Sequence, residues 1–222
     1  MGIDLRVYLV TAGSDRRTVE VAAEAAAAGD GIVQVRAKEA STRELLALLG
    51  AVADAVGAAN ATTRVLVDDR ADVAYAARRA GRRVHGVHLG ADDLPPEDAR
   101  ALLGADAVIG FTTGTLELVL QAQALVGVVD YLGAGPFRPT PTKDSGREPL
   151  GVEGYRPLVE ASRLPIIAIG SVGVDDVADL AGTGVAGVAM VRAITQADDP
   201  ADVVRRSLAA WKGVRRDAGR TC

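Results

Sequence analysis

With 222 residues, 49% of them hydrophobic, the chain can bury a large core, and its net charge of −4 lacks the basic face that a general nucleic-acid binder needs. Its one cysteine, Cys222, excludes an intramolecular disulfide and any cysteine cluster for metal. Residues 1–6 lack a basic start leading into an apolar core, Arg6 stands where a myristoylation signal needs Ser or Thr, and no apolar run reaches about 18 residues, so a soluble cytoplasmic protein without a membrane span is expected.

Short β-branched apolar runs alternate with Ala-rich helical stretches along the sequence. A strand over 7–10 leads to a helix over 17–28 that Gly29 ends. A strand over 32–36 (IVQVR) precedes a helix over 42–56, capped by Ser41 or Thr42. Next come a strand over 65–67, a helix over 71–79, and a strand over 86–89. Pro95 and Pro96 open a helix that runs to Leu103 and stops at Gly104. A strand over 108–110 and a helix over 116–126 follow, then a strand over 131–133 and a helix over 152–162. The last two units are a strand over 166–169 with a helix over 174–181, and a strand over 187–191 with a helix over 200–215, leaving a polar tail about 216–222. Eight β/α units in this length predict one α/β domain, a (β/α)8 TIM barrel. With aromatics at 3%, its core should be Ala, Val, Leu and Ile. Arg78, Arg79, Arg82 and Arg83 read as solvated helix ends.

Chemistry in a barrel sits at the C-terminal ends of the strands, and there the polar residues gather. Gln34, Arg36 and Lys38 alternate, so all three face one side and suit a diphosphate. Asp68 and Asp69 follow the third strand; adjacent side chains on a strand point oppositely, which would turn one to the mouth and leave the other, or Asp72, to cap the next helix. Asp92 and Asp93 follow the fourth strand, one of them free to cap the Pro95 helix and the other to join an acid of the third strand at Mg2+, with phosphate and water completing the shell. His88 reads as a core or supporting residue, His85 as surface. The sequence GAGPFRPTPTK over 133–143 sets the Thr140 and Thr142 hydroxyls and the Lys143 ammonium on a proline-stiffened loop, a combination suited to phosphate. Gly170 and Ser171, and Val191 and Arg192, follow the last two strands, where barrels commonly bind phosphate through backbone N–H groups. Two phosphorylated substrates fit this layout; there is no Ser/His/Asp set, no cysteine nucleophile and no dinucleotide fingerprint.

Nearly the whole chain resembles the thiamine-phosphate synthase family, through QVRAK at 34–38, VDDRADVA at 67–74, GVHLGADDLP at 86–95, IGFTT at 109–113, DYLGAGPFRPTPTK at 130–143, IAIGS at 167–171 and VAMVRAI at 188–194. The resemblance implies coupling of a hydroxymethylpyrimidine diphosphate to a thiazole phosphate with loss of pyrophosphate, by ionisation rather than by a protein nucleophile. It assigns the pyrimidine diphosphate to Gln34, Val35, Arg36, Ala37, Lys38, Asp68, Thr112 and Lys143, with Arg36, Lys38 and Lys143 as the catalytic cations. It assigns the thiazole phosphate to Thr140, Pro141, Thr142, Gly170, Ser171, Val191 and Arg192, and Mg2+ to Asp69 and Asp93. Its partners are small molecules, without nucleic acid or membrane, and it leaves room for a homo-oligomer. Four positions depart from the family: Asp68 replaces a usual Asn, Thr112 a Ser, Gly114 a frequent His, and Ser171 a Gly that tolerates the change if φ stays negative. A related thiazole tautomerase would need the His absent at Gly114, and a non-catalytic binder of the same fold has only Asp68 in its favour.

Overall fold

The computed structural model describes residues 2–139 and 146–218, with the side chains beyond 213 left aside. Eight parallel strands close into a barrel in sequence order: β1 (Val7–Val10), β2 (Ile32–Val35), β3 (Arg64–Asp68), β4 (Gly86–Leu89), β5 (Val108–Thr113), β6 (Tyr131–Ala134), β7 (Ile166–Ile169) and β8 (Gly187–Met190), with β8 pairing back onto β1. The helices form the outer layer: α1 (Arg16–Ala27), α2 (Thr42–Ala59), α3 (Ala71–Arg79), α4 (Pro96–Leu103), α5 (Leu116–Gln121), α6 (Tyr155–Ala161), α7 (Val177–Gly182), the short α8 (Arg192–Thr195) and α9 (Pro200–Ala218). Among the described residues no helix is long and apolar enough to cross a membrane.

Local chemistry sets most of the boundaries. Asp15 caps α1 by accepting from the Thr18 N–H at 2.9 Å. Ser41 caps α2 in a reciprocal box with Glu44, whose carboxylate accepts from the Ser41 N–H at 2.9 Å. The expected stop of α2 at Val56 moves out to Ala59, because Asn60 ends it instead: its N–H donates to the Val56 carbonyl at 2.8 Å and its side chain to Ala26 at 3.0 Å. The helix expected over 116–126 becomes α5 plus a 3-10 turn, Ala122–Leu125, and α7 is preceded by another, Val174–Asp176. The helix expected from 152 begins only at Tyr155, since Gly151 takes a left-handed φ of 57° and 151–154 form turns.

Two cores result. Between sheet and helices the filling is mainly aliphatic, with Phe137, Tyr155 and Trp211 buried among the Ala, Val, Leu and Ile. Inside the barrel, Tyr8 and Tyr131 are 2% and 0% exposed and pack with Val10, Ile32, Leu66 and Ile167. Buried aromatics thus occur in both cores, a departure from the all-aliphatic core expected from composition.

The basic residues after α3 are not simply solvated ends. Arg78 donates to the His85 carbonyl at 3.2 Å and to Asp106 at 2.8 Å, Arg82 pairs with Asp54, and Arg83 donates to the Ala61 carbonyl at 2.9 Å. They tie neighbouring β/α units together at the base of the barrel. His85, expected at the surface, is half-buried. Its Nδ1 accepts from the Val65 N–H at 2.9 Å, and burial, then Arg64 and the other nearby arginines, push its pKa down to about 4.

Candidate active site

The strand ends at the C-terminal rim surround a cavity of about 380 Å3 whose floor includes Val10, Ile167, Ile169 and Ala189. Gln34, Arg36 and Lys38 line it from the end of β2. Alternation turns Val35 and Ala37 the other way, into the sheet–helix core, so their side chains are not part of the cavity wall.

Both acids after β3 line the cavity, not one of them. Regular alternation ends at Asp68, and Asp69 takes a left-handed φ of 61°, which brings the second carboxylate round to the same side. Neither caps α3, which starts without a side-chain cap, and Asp72 instead pairs with Arg70 at 2.6 Å. Asp68 Oδ2 lies 3.2 Å from Arg36 Nε and 3.4 Å from Lys38 Nζ, while Lys38 also contacts Asp69. Neither approach to Asp68 Oδ2 has hydrogen-bond geometry, so this buried oxygen is held by charge without a directed donor. Burial first, and the adjacent Asp69 second, push the Asp68 carboxyl up to about 6 against the pull of Lys38 and Arg36. Burial works against the Lys38 ammonium, but its contact with Asp69 and the charge of Asp68 hold its pKa above the usual lysine range.

Asp93 does not cap α4 either; Pro95 precedes that helix with no side-chain cap, and Asp93 Oδ2 accepts from the Gly90 N–H at 2.6 Å. Burial raises its carboxyl, and Asp69 stands against it and raises it further. Asp92 is exposed. Two opposed carboxylates beside one lysine are an oxygen donor set that fits a hard divalent cation, provided a ligand phosphate and water supply the other positions. Among the described residues no third His, Cys, Asp or Glu joins them.

Across the cavity the means are different. Gly170 and Ser171 both have left-handed φ values, 107° and 55°. The Ser171 value contradicts the expectation of a negative φ at this position. Its hydroxyl is engaged, donating to the Pro139 carbonyl at 2.9 Å and accepting from Arg192 Nη2 at 3.3 Å. The Ser171 and Val172 N–H groups donate to no described residue. Val191 and Arg192 line this side from the start of α8. Thr112 lines the cavity from β5, between the two sides. Thr140, Pro141, Thr142 and Lys143 lie outside the described residues.

Several wall residues lie outside the sequence-based set, Tyr8, Tyr131 and Asp176 among them. His88, expected as core or support, reaches the cavity itself. Arg138 stacks 4.4 Å from the Phe137 ring centre and pairs with Asp176 at 2.5 Å. Arg147 lines the cavity over Gly114, donating to the Thr113 carbonyl at 2.7 Å. A Cβ on Gly114 would stand 2.3 Å from the Gly135 carbonyl oxygen and 2.9 Å from Arg147 Nη1, so the missing side chain is what lets the guanidinium in. The only sequence signal for Arg147 is that bare glycine, 33 positions earlier, and nothing in the pattern connects them.

A family model described as thiamine monophosphate synthase matches residues 7–194. The chain is 63% identical over 198 residues to a thiamine-phosphate synthase of Corynebacterium jeikeium, covering 89% of this chain and 90% of that one. It is 58% identical over 209 residues to a thiamine-phosphate synthase of Corynebacterium efficiens, covering 94% and 95%. Among solved structures, a thiamine phosphate pyrophosphorylase from Pyrococcus furiosus superposes with a TM-score of 0.81 at 32% identity, covering 96% of this chain and 98% of that one.

Proposed function

Because the chain belongs to the thiamine monophosphate synthase family, and is thus a transferase, we propose that it joins 4-amino-2-methyl-5-hydroxymethylpyrimidine diphosphate to 4-methyl-5-(2-hydroxyethyl)thiazole phosphate, releasing pyrophosphate. The observation that supports this most is the pairing, across one apolar-floored cavity, of a wall carrying Arg36 and Lys38 with a turn offering the Ser171 and Val172 N–H groups. One side suits a diphosphate, the other a monophosphate.

The diphosphate lies against Arg36 and Lys38, with Lys143 joining them on the strength of the sequence resemblance. The C–O bond to the pyrimidine methylene breaks and its electron pair leaves with the diphosphate, where these cations stabilise the developing charge. The thiazole nitrogen then gives its lone pair to the pyrimidinylmethyl cation and the C–N bond forms. The apolar floor keeps water from competing for that cation. The undirected oxygen of Asp68 accepts from the pyrimidine amino group, a role an acceptor-only carboxylate can fill. Gly170, Ser171, Val191 and Arg192 hold the thiazole phosphate, with Thr140, Pro141 and Thr142. Asp69 and Asp93 would hold Mg2+, whose chemistry when bound is to neutralise the diphosphate. Such an enzyme works on small molecules in the cytoplasm.

The test is coupling by the purified chain with and without magnesium. Thiamine phosphate should form only with both substrates and the metal, and Asp93→Asn should raise the half-activating Mg2+ concentration about tenfold. Binding of both substrates without coupling would overturn the enzymatic reading, and an unchanged magnesium titration in the variant would move the metal away from Asp93.

A further inference from the structure

Along the inner wall of the cavity a chain of hydrogen bonds crosses the barrel from β2 to β5. Gln34 Nε2 donates to Tyr8 Oη at 2.7 Å. Tyr8 Oη and Tyr131 Oη are 2.8 Å apart, Tyr131 Oη and His88 Nδ1 3.0 Å, and His88 Nε2 and Thr112 Oγ1 2.9 Å. All five residues of the row line the cavity, with Gln34 and Thr112 at its ends.

We infer that this chain is a one-way relay that fixes the tautomer of His88 and thereby aims the Thr112 hydroxyl proton into the cavity. Each phenol carries one proton, and each neutral imidazole carries one on either nitrogen. Tyr8 Oη receives the amide proton of Gln34, so its own proton goes to Tyr131. Tyr131 in turn gives its proton to His88 Nδ1, which must then be the bare nitrogen. The ring proton sits on Nε2 and is donated to Thr112 Oγ1. That oxygen has accepted, so its O–H turns away from His88, toward whatever occupies the cavity. Rotating the Gln34 amide by half a turn would reverse every bond and leave Thr112 with an acceptor to offer instead. The polarity of the whole row thus depends on one amide that is 4% exposed.

The barrel is built around this row. A Cβ on Gly110 would fall 2.3 Å from Tyr131 Oη and 2.4 Å from His88 Nδ1, and one on Gly133 would fall 3.0 Å from His88 Cε1. Two neighbouring strands therefore carry glycine where the histidine and tyrosine need room. The His88 and Tyr131 rings stack with centres 5.5 Å apart and planes 26° from parallel. Burial raises the pKa of both phenols, so neither releases its proton near neutral pH.

His88, Tyr131 and Tyr8 are on this view positioning residues, acting through Thr112. Their effect on turnover rests on the proposed coupling reaction; the tautomer does not. The chain has two histidines, so 15N-histidine spectra of the whole protein are readily assigned with a His85→Gln variant. His88 should show a protonated Nε2 and a bare Nδ1, and Tyr131→Phe and Tyr8→Phe should each give a mixture of tautomers. In Tyr131→Phe, kcat for coupling should fall about tenfold, with KM for the pyrimidine diphosphate changed less than about twofold, as expected of a lost orientation rather than a lost contact. A wild-type ring protonated at Nδ1, or ring shifts unmoved in both phenylalanine variants, would overturn the relay. Mixed tautomers with unchanged kcat would overturn its link to Thr112. The expected tautomer in a chain that does not couple the substrates would sink the proposed reaction and leave the relay standing.

Discussion

Along β2 to β4 the cavity wall is made of charged side chains, whereas the turns after β7 and β8 meet the same space with backbone N–H groups and one arginine. The first side crowds Asp68 and Asp69 against Arg36 and Lys38, with Asp93 beside Asp69 but outside the cavity lining, and burial and the Asp69 charge push up the Asp68 and Asp93 carboxyls. The second side also carries the Arg138–Asp176 pair, and each side has one left-handed non-glycine residue, Asp69 on the first and Ser171 on the second. Clustered cations beside a metal site suit the charge that builds on a departing diphosphate, and a turn of backbone N–H groups suits a monophosphate that keeps its charge. The division of labour proposed for the two substrates follows from that difference.

Removing a cation from the wall should therefore have the largest effect. Arg36→Ala should lower kcat/KM for coupling about 100-fold or more, the usual loss when one stabilising donor leaves a developing anion. Circular dichroism should show the barrel intact. A loss no larger than that of a substitution in the opposite turn would erase the contrast between the two sides.

A smaller effect separates them by pH. Asp68 has an ordinary carboxyl value of 3.8 when the chain is unfolded and about 6 when it is folded. A raised folded value means that the group's contribution to stability is fully present below the unfolded value and is lost as pH rises through about 6. Asp68→Asn cannot ionise, so in metal-free buffer its stability relative to the wild type should improve across that window, read as the shift in urea midpoint. A difference that stays constant with pH would show that the wall does not strain this carboxylate.

The same contrast explains what the sequence could and could not reveal. The barrel was legible because eight apolar runs recur with helical stretches between them, and the wall was legible because alternation alone turns Gln34, Arg36 and Lys38 to one face. Alternation failed where the chain leaves the strand: at Asp69 a left-handed residue brings round a carboxylate that a regular strand would have turned away. It also separated Val35 and Ala37, which the resemblance had grouped with their neighbours, from the cavity. The capping roles considered for Asp68, Asp69 and Asp93 were each a sound local alternative, and for Asp93 a competing local bond, the Gly90 N–H three residues back, decided against it. Composition implied an aliphatic interior, but a percentage carries no positions, and two of the four tyrosines, Tyr8 and Tyr131, sit where the relay needs them. Arg147 and Gly114 meet only through the fold, so neither could be read from the other.

The opposite turn should yield the smallest effect, and its sign is informative. Ser171 holds φ at 55°, a conformation that costs a non-glycine residue on the order of 1 kcal/mol. Against this stand two bonds of its hydroxyl, 2.9 Å to the Pro139 carbonyl and a longer 3.3 Å from Arg192. Ser171→Gly removes the strain and the bonds together, while glycine's freedom in the unfolded chain takes back up to about 1 kcal/mol. Ser171→Ala removes the bonds and keeps the strain. The glycine variant should accordingly lie within about 1 kcal/mol of the wild type in denaturant unfolding, and the alanine variant about 1 kcal/mol below it. Both keep the N–H groups in place, so KM for the thiazole phosphate should change less than about threefold if phosphate is held by backbone. A large rise in KM for either variant would mean that the hydroxyl itself binds the ligand, and the two sides of the cavity would then differ in degree rather than in kind.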